Sequence, residues 1–187
     1  MRQSMTRGCL VVAAAVLQLV SPSAGRAQSS NGILFGGGVS FPAGVLNSYA
    51  NTGWDVTAGV EHRFGHHPTA LRIDFSYASN SDTTGVGFHE TTRLINLTAN
   101  IVYHFPGAQP RIYVLAGIGD FVRHFTSDDP FDFGVSDSRL GLQVGEGIVF
   151  HVKSAALFLE GRFVTGVGPQ PLRFFPVILG VRFGGDR

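Results

Sequence analysis

The sequence predicts an all-β fold: eight antiparallel strands closed into an up-and-down transmembrane β-barrel. Three observations carry this expectation. Segments 54–64, 95–105, 140–150 and 175–183 alternate apolar and polar residues and close on Phe64, Phe105, Phe150 and Phe183 before breaking. Period-two alternation marks a strand with two unlike faces. The connections between successive strand signals alternate between short and long. The polar faces carry acids and arginines in equal number. An apolar band ending in an aromatic ring, backed by charges, is how a barrel strand meets lipid.

Residues 1–27 read as a secretory signal peptide ahead of a barrel domain at 28–187. Arg2 and Arg7 give a positive start, and the apolar run from Leu10 to Val20 is too short to cross a bilayer as a helix, which takes ~20 residues. Gly25 and Ala27 supply small residues for cleavage before Gln28. Cys9 is the only cysteine and lies inside this segment, so the mature chain is expected to have no disulfide and no thiolate metal site. The formal net charge of +1 gives no long-range field to recruit nucleic acid.

The strands follow in order. Strand 1, about 33–41, sets Ile33, Phe35, Val39 and Phe41 against Gly36, Gly38 and Ser40. Strand 2, about 53–64, sets Trp54, Val56, Ala58, Val60 and Phe64 against Asp55, Thr57, Glu61 and Arg63, with His62 on the apolar side. Strand 3, about 69–79, opposes Leu71, Ile73, Phe75 and Tyr77 to Arg72, Asp74 and Ser76. Strand 4, about 92–105, opposes Ile95, Leu97, Ala99, Ile101, Tyr103 and Phe105 to Asn96, Thr98, Asn100 and His104.

Strand 5, about 111–121, is apolar in both phases, and Gly119 and Asp120 argue for opposite facings, so its orientation stays open. A bulge would shift its register. Strand 6, about 139–150, has Leu140, Leu142, Val144, Ile148 and Phe150 on one face, interrupted by Glu146. A protonated carboxyl or a register shift would relieve that anomaly. Strand 7, about 155–164, opposes Leu157, Leu159 and Phe163 to Glu160 and Arg162. Strand 8, about 174–183, opposes Phe175, Val177, Leu179, Val181 and Phe183 to Arg182.

The tight connections are 65–68, 106–110 and 151–154; the long ones are 42–52, 80–91, 122–138 and 165–173. Short turns on the periplasmic side and longer extracellular loops are the outer-membrane arrangement, and both chain ends then lie in the periplasm. A soluble ligand-binding barrel of lipocalin type has the same alternation with the faces exchanged. The aligned phenylalanines favour lipid outside, as an aromatic girdle of Phe64, Phe105, Phe150 and Phe183. So does the charge balance: Asp55, Glu61, Asp74 and Glu160 against Arg63, Arg72, Arg162 and Arg182 suggest an ion-pair network in the lumen. An eight-stranded barrel has room inside only for side chains, and an unpaired buried charge is costly there.

The chain resembles the small OmpA/OmpX-type outer-membrane β-barrel family. The resemblance rests on LFGGGVSFP at 34–42, LRIDFSY at 71–77, IYVLAGIG at 112–119, LFLEGRF at 157–163 and VRF at 181–183. It implies residence in the outer membrane and contact with lipid and lipopolysaccharide. It also implies insertion by the outer-membrane assembly machinery, which reads a final strand ending in an aromatic residue. The family shares no single activity.

The leading expectation is a monomeric, non-enzymatic barrel with a salt-bridged, plugged lumen and an envelope-structural or surface-interaction role. A conducting pore is the opposing reading of the same lumen. Lipid A deacylases are also small barrels, and His124 with Ser127 near the outer end of strand 5 offers a catalytic alternative. The residue two after His124 is Thr126, where that arrangement needs the serine. Neither the adjacent His66 and His67 nor the acidic run at 128–132 has metal-ligand spacing. The glycines around Ile118 and Glu146 open no helix, so no cofactor is expected. Phe88, Phe131 and Phe133 are the aromatic loop residues best placed to meet a partner.

Overall fold

The computed structural model describes residues 30–48, 50–83, 89–107, 110–127, 136–152, 155–168 and 171–184. The expected signal peptide at 1–27, the acidic run at 128–132 and the three loop phenylalanines lie outside the described residues. Eight strands form a closed barrel in chain order: β1 (Ser30–Ala43), β2 (Gly53–Arg63), β3 (Thr69–Thr83), β4 (His89–His104), β5 (Arg111–Ser127), β6 (Ser136–Val152), β7 (Ala155–Gly166) and β8 (Arg173–Gly184). Each strand is antiparallel to both neighbours, and β8 closes on β1. Strands β3 to β6 run several residues farther toward the long loops than the alternation indicated. Those extensions rise past the apolar band, where nothing requires one face to be hydrocarbon.

The faces are arranged as lipid contact demands. Leu97, Leu142 and Leu179 are 38, 48 and 63% exposed, whereas Arg63, Asp74 and Arg162 are 8, 1 and 2% exposed. A soluble barrel would show the reverse, and that alternative is thereby overturned.

The register fixes the tilt. Ile33 pairs with Val60, and the line continues through Ile73, Ala99, Ile118, Leu142, Thr165 and Arg173 to Ala43, a stagger of ten residues per circuit. Eight strands with that stagger tilt by roughly 40°. The level therefore shifts by a little over one residue per strand, about 1.25. On this geometry Phe64, Phe105, Phe150 and Phe183 fall within about two residues of one level. A second aromatic ring, Phe41, Trp54, Tyr77 and Phe175, lies about nine residues higher, or ~23 Å along the axis. An outer-membrane apolar band is ~25 Å tall between its aromatic girdles. Trp54 and Tyr77 touch, with ring centroids 5.3 Å apart.

The two positions left open are now placed. β5 pairs with β4 and β6 without a bulge. Tyr113, Leu115 and Phe121 face inward, and Ile112, Val114 and Ile118 face outward. Glycines on β6 make the inward rings possible. A Cβ on Gly141 would sit 2.3 Å from the Phe121 ring, and one on Gly147 would sit 2.4 Å from that of Tyr113. Asp120 faces outward at the level of the upper aromatic ring and accepts a hydrogen bond from Ser138 Oγ at 2.6 Å. A carboxylate is inexpensive at that boundary. Glu146 also faces outward with its register unshifted, between Val114 and Gly161.

Among the described residues no helix is long and apolar enough to cross a membrane. The strands are the spanning elements.

Candidate functional site

Alternation along β3 and β7 builds the centre of the lumen. Arg72 and Asp74 lie two apart on β3, so they share the inner face; Glu160 and Arg162 do the same on β7. The two strands face each other across the barrel and run in the same direction, but their charges come in opposite order. Each arginine therefore meets a carboxylate both along its own strand and across the lumen. Arg72 Nε lies 3.0 Å from Asp74 Oδ2 and its Nη2 lies 2.8 Å from Glu160 Oε2. Arg162 Nη2 lies 3.2 Å from Asp74 Oδ2, and its Nε bonds Glu160 Oε1. All four side chains are almost fully buried.

Neighbouring polar groups complete the quartet. Tyr113 Oη donates to Glu160 Oε2 at 2.6 Å, and the Arg72 guanidinium lies 5.8 Å from the Tyr113 ring centre. Asn100 Nδ2 donates to Asp74 Oδ2 at 3.0 Å, and Gln143 Nε2 donates to Thr98 Oγ1 at 3.0 Å. Bonds to charged groups of this kind are stronger than neutral ones; Arg72 Nη2, Arg162 Nη2 and Asp74 Oδ1 have no hydrogen-bond partner among the described residues, so the two Nη2 atoms act through charge alone.

A second ion cluster sits nearer the short turns. Glu61 Oε1 is 2.9 Å from Arg182 Nη2, 2.9 Å from His104 Nε2 and 3.9 Å from Arg63 Nη2. Seven of the eight residues expected in a lumen network thus stand in ion pairs. Asp55 departs from the four-to-four pairing: it is 1% exposed, and neither carboxylate oxygen has a hydrogen-bond partner among the described residues. His104, absent from the four-to-four count, joins this cluster as a further neighbour of Glu61.

Apolar side chains fill the remaining interior. One cluster, including Leu34, Val102, Leu115, Val149, Phe158 and Ile178, packs beside the ion pairs. The other occupies the long-loop end. There a short 3-10 turn, Gly44–Ser48, places Leu46 against Leu94, Phe121, Val164 and Phe174. Leu46 is 1% exposed, and its carbonyl accepts from Ala50 N at 2.9 Å. A cavity of about 50 Å³ beside it is rimmed by Arg123, Asp137 and Arg139.

His124 pairs across the sheet with Arg93 and Ser136. Position 127 lies three residues along the same unbulged strand, which puts it on the opposite face from position 124. The Ser127 side chain lies outside the described residues. Among the described residues no group of histidines and acids has the arrangement of a metal centre.

Leu46 and Tyr113 were not legible as site residues. Leu46 lies in a loop with no periodicity, and Tyr113 lies on the one strand whose facing the pattern left undecided.

A family model described as the outer membrane protein beta-barrel domain matches residues 10–161. The chain belongs to that family. It is an outer-membrane barrel protein, with its short turns in the periplasm and its long loops outside. A comparison with curated proteins finds no sequence match. Solved structures share the fold. A major outer membrane protein from Thermus thermophilus is 14% identical, with TM-score 0.60, covering 84% of this chain and 100% of that one. Neisserial surface protein A is 14% identical, with TM-score 0.57, covering 82% of this chain and 96% of that one. Ail, the attachment invasion locus protein of Yersinia pestis, is 15% identical, with TM-score 0.54, covering 84% and 97%; it was solved in complex with the heparin analogue sucrose octasulfate. At these identities the likeness is one of fold.

Proposed function

We propose that this protein is a non-conducting, non-enzymatic envelope barrel, serving the outer membrane structurally or through its four external loops. The observation that carries the reading is the cross-lumen quartet of Arg72, Asp74, Glu160 and Arg162. Four buried charges that bridge opposite walls occupy the space an ion path would need. Leu46 and its apolar neighbours cover the same interior at the external end. Lipopolysaccharide on the outer band and the assembly machinery during insertion are the partners this reading entails. The lumen network, with Asp55 buried in the same interior but bonded to none of its members among the described residues, and the signal peptide at 1–27 belong to the same proposal.

The test is single-channel recording in a planar lipid bilayer. The wild-type barrel is expected to show no sustained open level. Asp74→Ala combined with Arg162→Ala is expected to give brief, irregular conductance. A stable open level in the wild type would overturn the plugged lumen. Loss of an acyl chain from lipid A, abolished by His124→Ala, would overturn the non-enzymatic reading.

A further inference from the structure

The outward face between the two aromatic girdles carries one ionisable side chain among the described residues at mid-height. Glu146 is exposed, four residues above Phe150 on β6 and near the midpoint of the band. Its neighbours in the register are Val114 on β5 and Gly161 on β7. The other outward residues at its depth are hydrocarbon: Ile101, Leu159 and Leu179, for example, are 63, 46 and 63% exposed. Glu146 has no hydrogen bond or ion pair among the described residues. Acidic groups in hydrocarbon are expensive and mark places where a partner supplies hydrogen bonds. Gly161 presents no side chain beside it, and the Phe175 ring occupies the space a Cβ would take, with its Cζ 3.2 Å from that position.

We propose that Glu146 is the centre of a two-fold contact between two copies of this barrel, the carboxyl of one pairing with that of the other. The membrane dictates that choice of residue. Both copies insert in the same direction, so each residue meets residues at its own depth. At the depth of Glu146, the hydrogen-bonding side chain that a second copy offers is its own Glu146. A closed two-fold interface brings a residue at the axis against itself. A protonated carboxyl both donates and accepts, so two of them close a mutual pair of hydrogen bonds. The surrounding apolar surfaces of β5, β6 and β7 pack around that pair. The single-copy state expected from the sequence gives way to a dimer within the bilayer.

The experiment is oxidative cross-linking in phosphatidylcholine vesicles, using chains with Cys9→Ser and one introduced cysteine. Val144→Cys, on β6 beside Glu146, is expected to yield a disulfide-linked dimer. Val56→Cys, on the opposite wall, is expected to yield none. Glu146→Gln keeps a donor and an acceptor and is expected to retain the Val144→Cys dimer. Glu146→Leu is expected to lower the dimer yield about tenfold at equal protein-to-lipid ratio. Heat-modifiable gel migration verifies that each variant is a folded barrel. Monomer alone at Val144→Cys, equal cross-linking on both walls, or undiminished dimer with Glu146→Leu would each overturn the proposal.

Discussion

Removing one carboxylate from the lumen quartet tests the pairing most directly. Glu160 is fully buried, contacts both Arg72 and Arg162, and accepts the Tyr113 hydroxyl. Glu160→Ala leaves two buried guanidiniums sharing Asp74 alone and strands the hydroxyl. Stripping one partner from a buried ion pair costs about 3–5 kcal/mol, and the orphaned hydroxyl adds part of ~1–3 kcal/mol to a sum that is not strictly additive. A loss of about 4 kcal/mol is the expected outcome. The assay is reversible urea unfolding in lipid vesicles, read by gel migration and by the emission of Trp54, the single tryptophan. Asp137→Ala is the control. Its pair with Arg139 is about a third exposed, and such pairs contribute about 0–1 kcal/mol. Replacing all four charged residues by Leu and Met of similar bulk is expected to restore most of the loss, because a well-packed apolar core removes the stranded charges. A Glu160→Ala barrel within about 1 kcal/mol of wild type would refute the argument.

Three further outcomes are expected from the same geometry. Leu179→Arg, 63% exposed at mid-band, should cost ~2–4 kcal/mol in vesicles, and a change under ~0.5 kcal/mol, normal for a water-exposed site, would contradict the lipid facing. Gly38→Ala should weaken closure of the barrel by ~1–3 kcal/mol, since its Cβ would lie 1.8 Å from the Val177 carbonyl oxygen, a backbone atom. Gly37→Ala, whose nearest atom is 3.6 Å away, should be neutral within ~0.5 kcal/mol; equal urea midpoints for the two variants would sink the comparison. Trp54 fluorescence should be quenched more by lipids brominated near the headgroup than by those brominated at the chain end, because the ring belongs to the upper girdle; the opposite order would displace the girdle.

Much of the site could be read from the chain because period-two alternation is a local property. Each strand with one apolar face announced which residues would meet lipid, and so which charges would turn inward. β5 failed that reading for a physical reason. Tyr113, Leu115 and Phe121 are apolar residues on the lumen side, packed where Gly141 and Gly147 give way, so both of its faces are hydrophobic. Glu146 failed it in the other direction, as a carboxyl on the lipid side.

The sequence by itself determined the strand count, the alternation of turns and loops, the lipid-facing band and, on the strands with one apolar face, the charged residues destined for the interior. Those follow from the two-residue repeat and from the length of chain needed to cross hydrocarbon. Only the tertiary structure decided who meets whom. The ten-residue stagger sets Arg72 opposite Glu160 and Asp74 opposite Arg162, leaves Asp55 without a bonded partner among the described residues and gathers Arg182 and His104 onto Glu61, while the turn after β1 folds Leu46 into the mouth. Contacts across a closed barrel depend on register summed over every strand between them, and no local pattern encodes that sum.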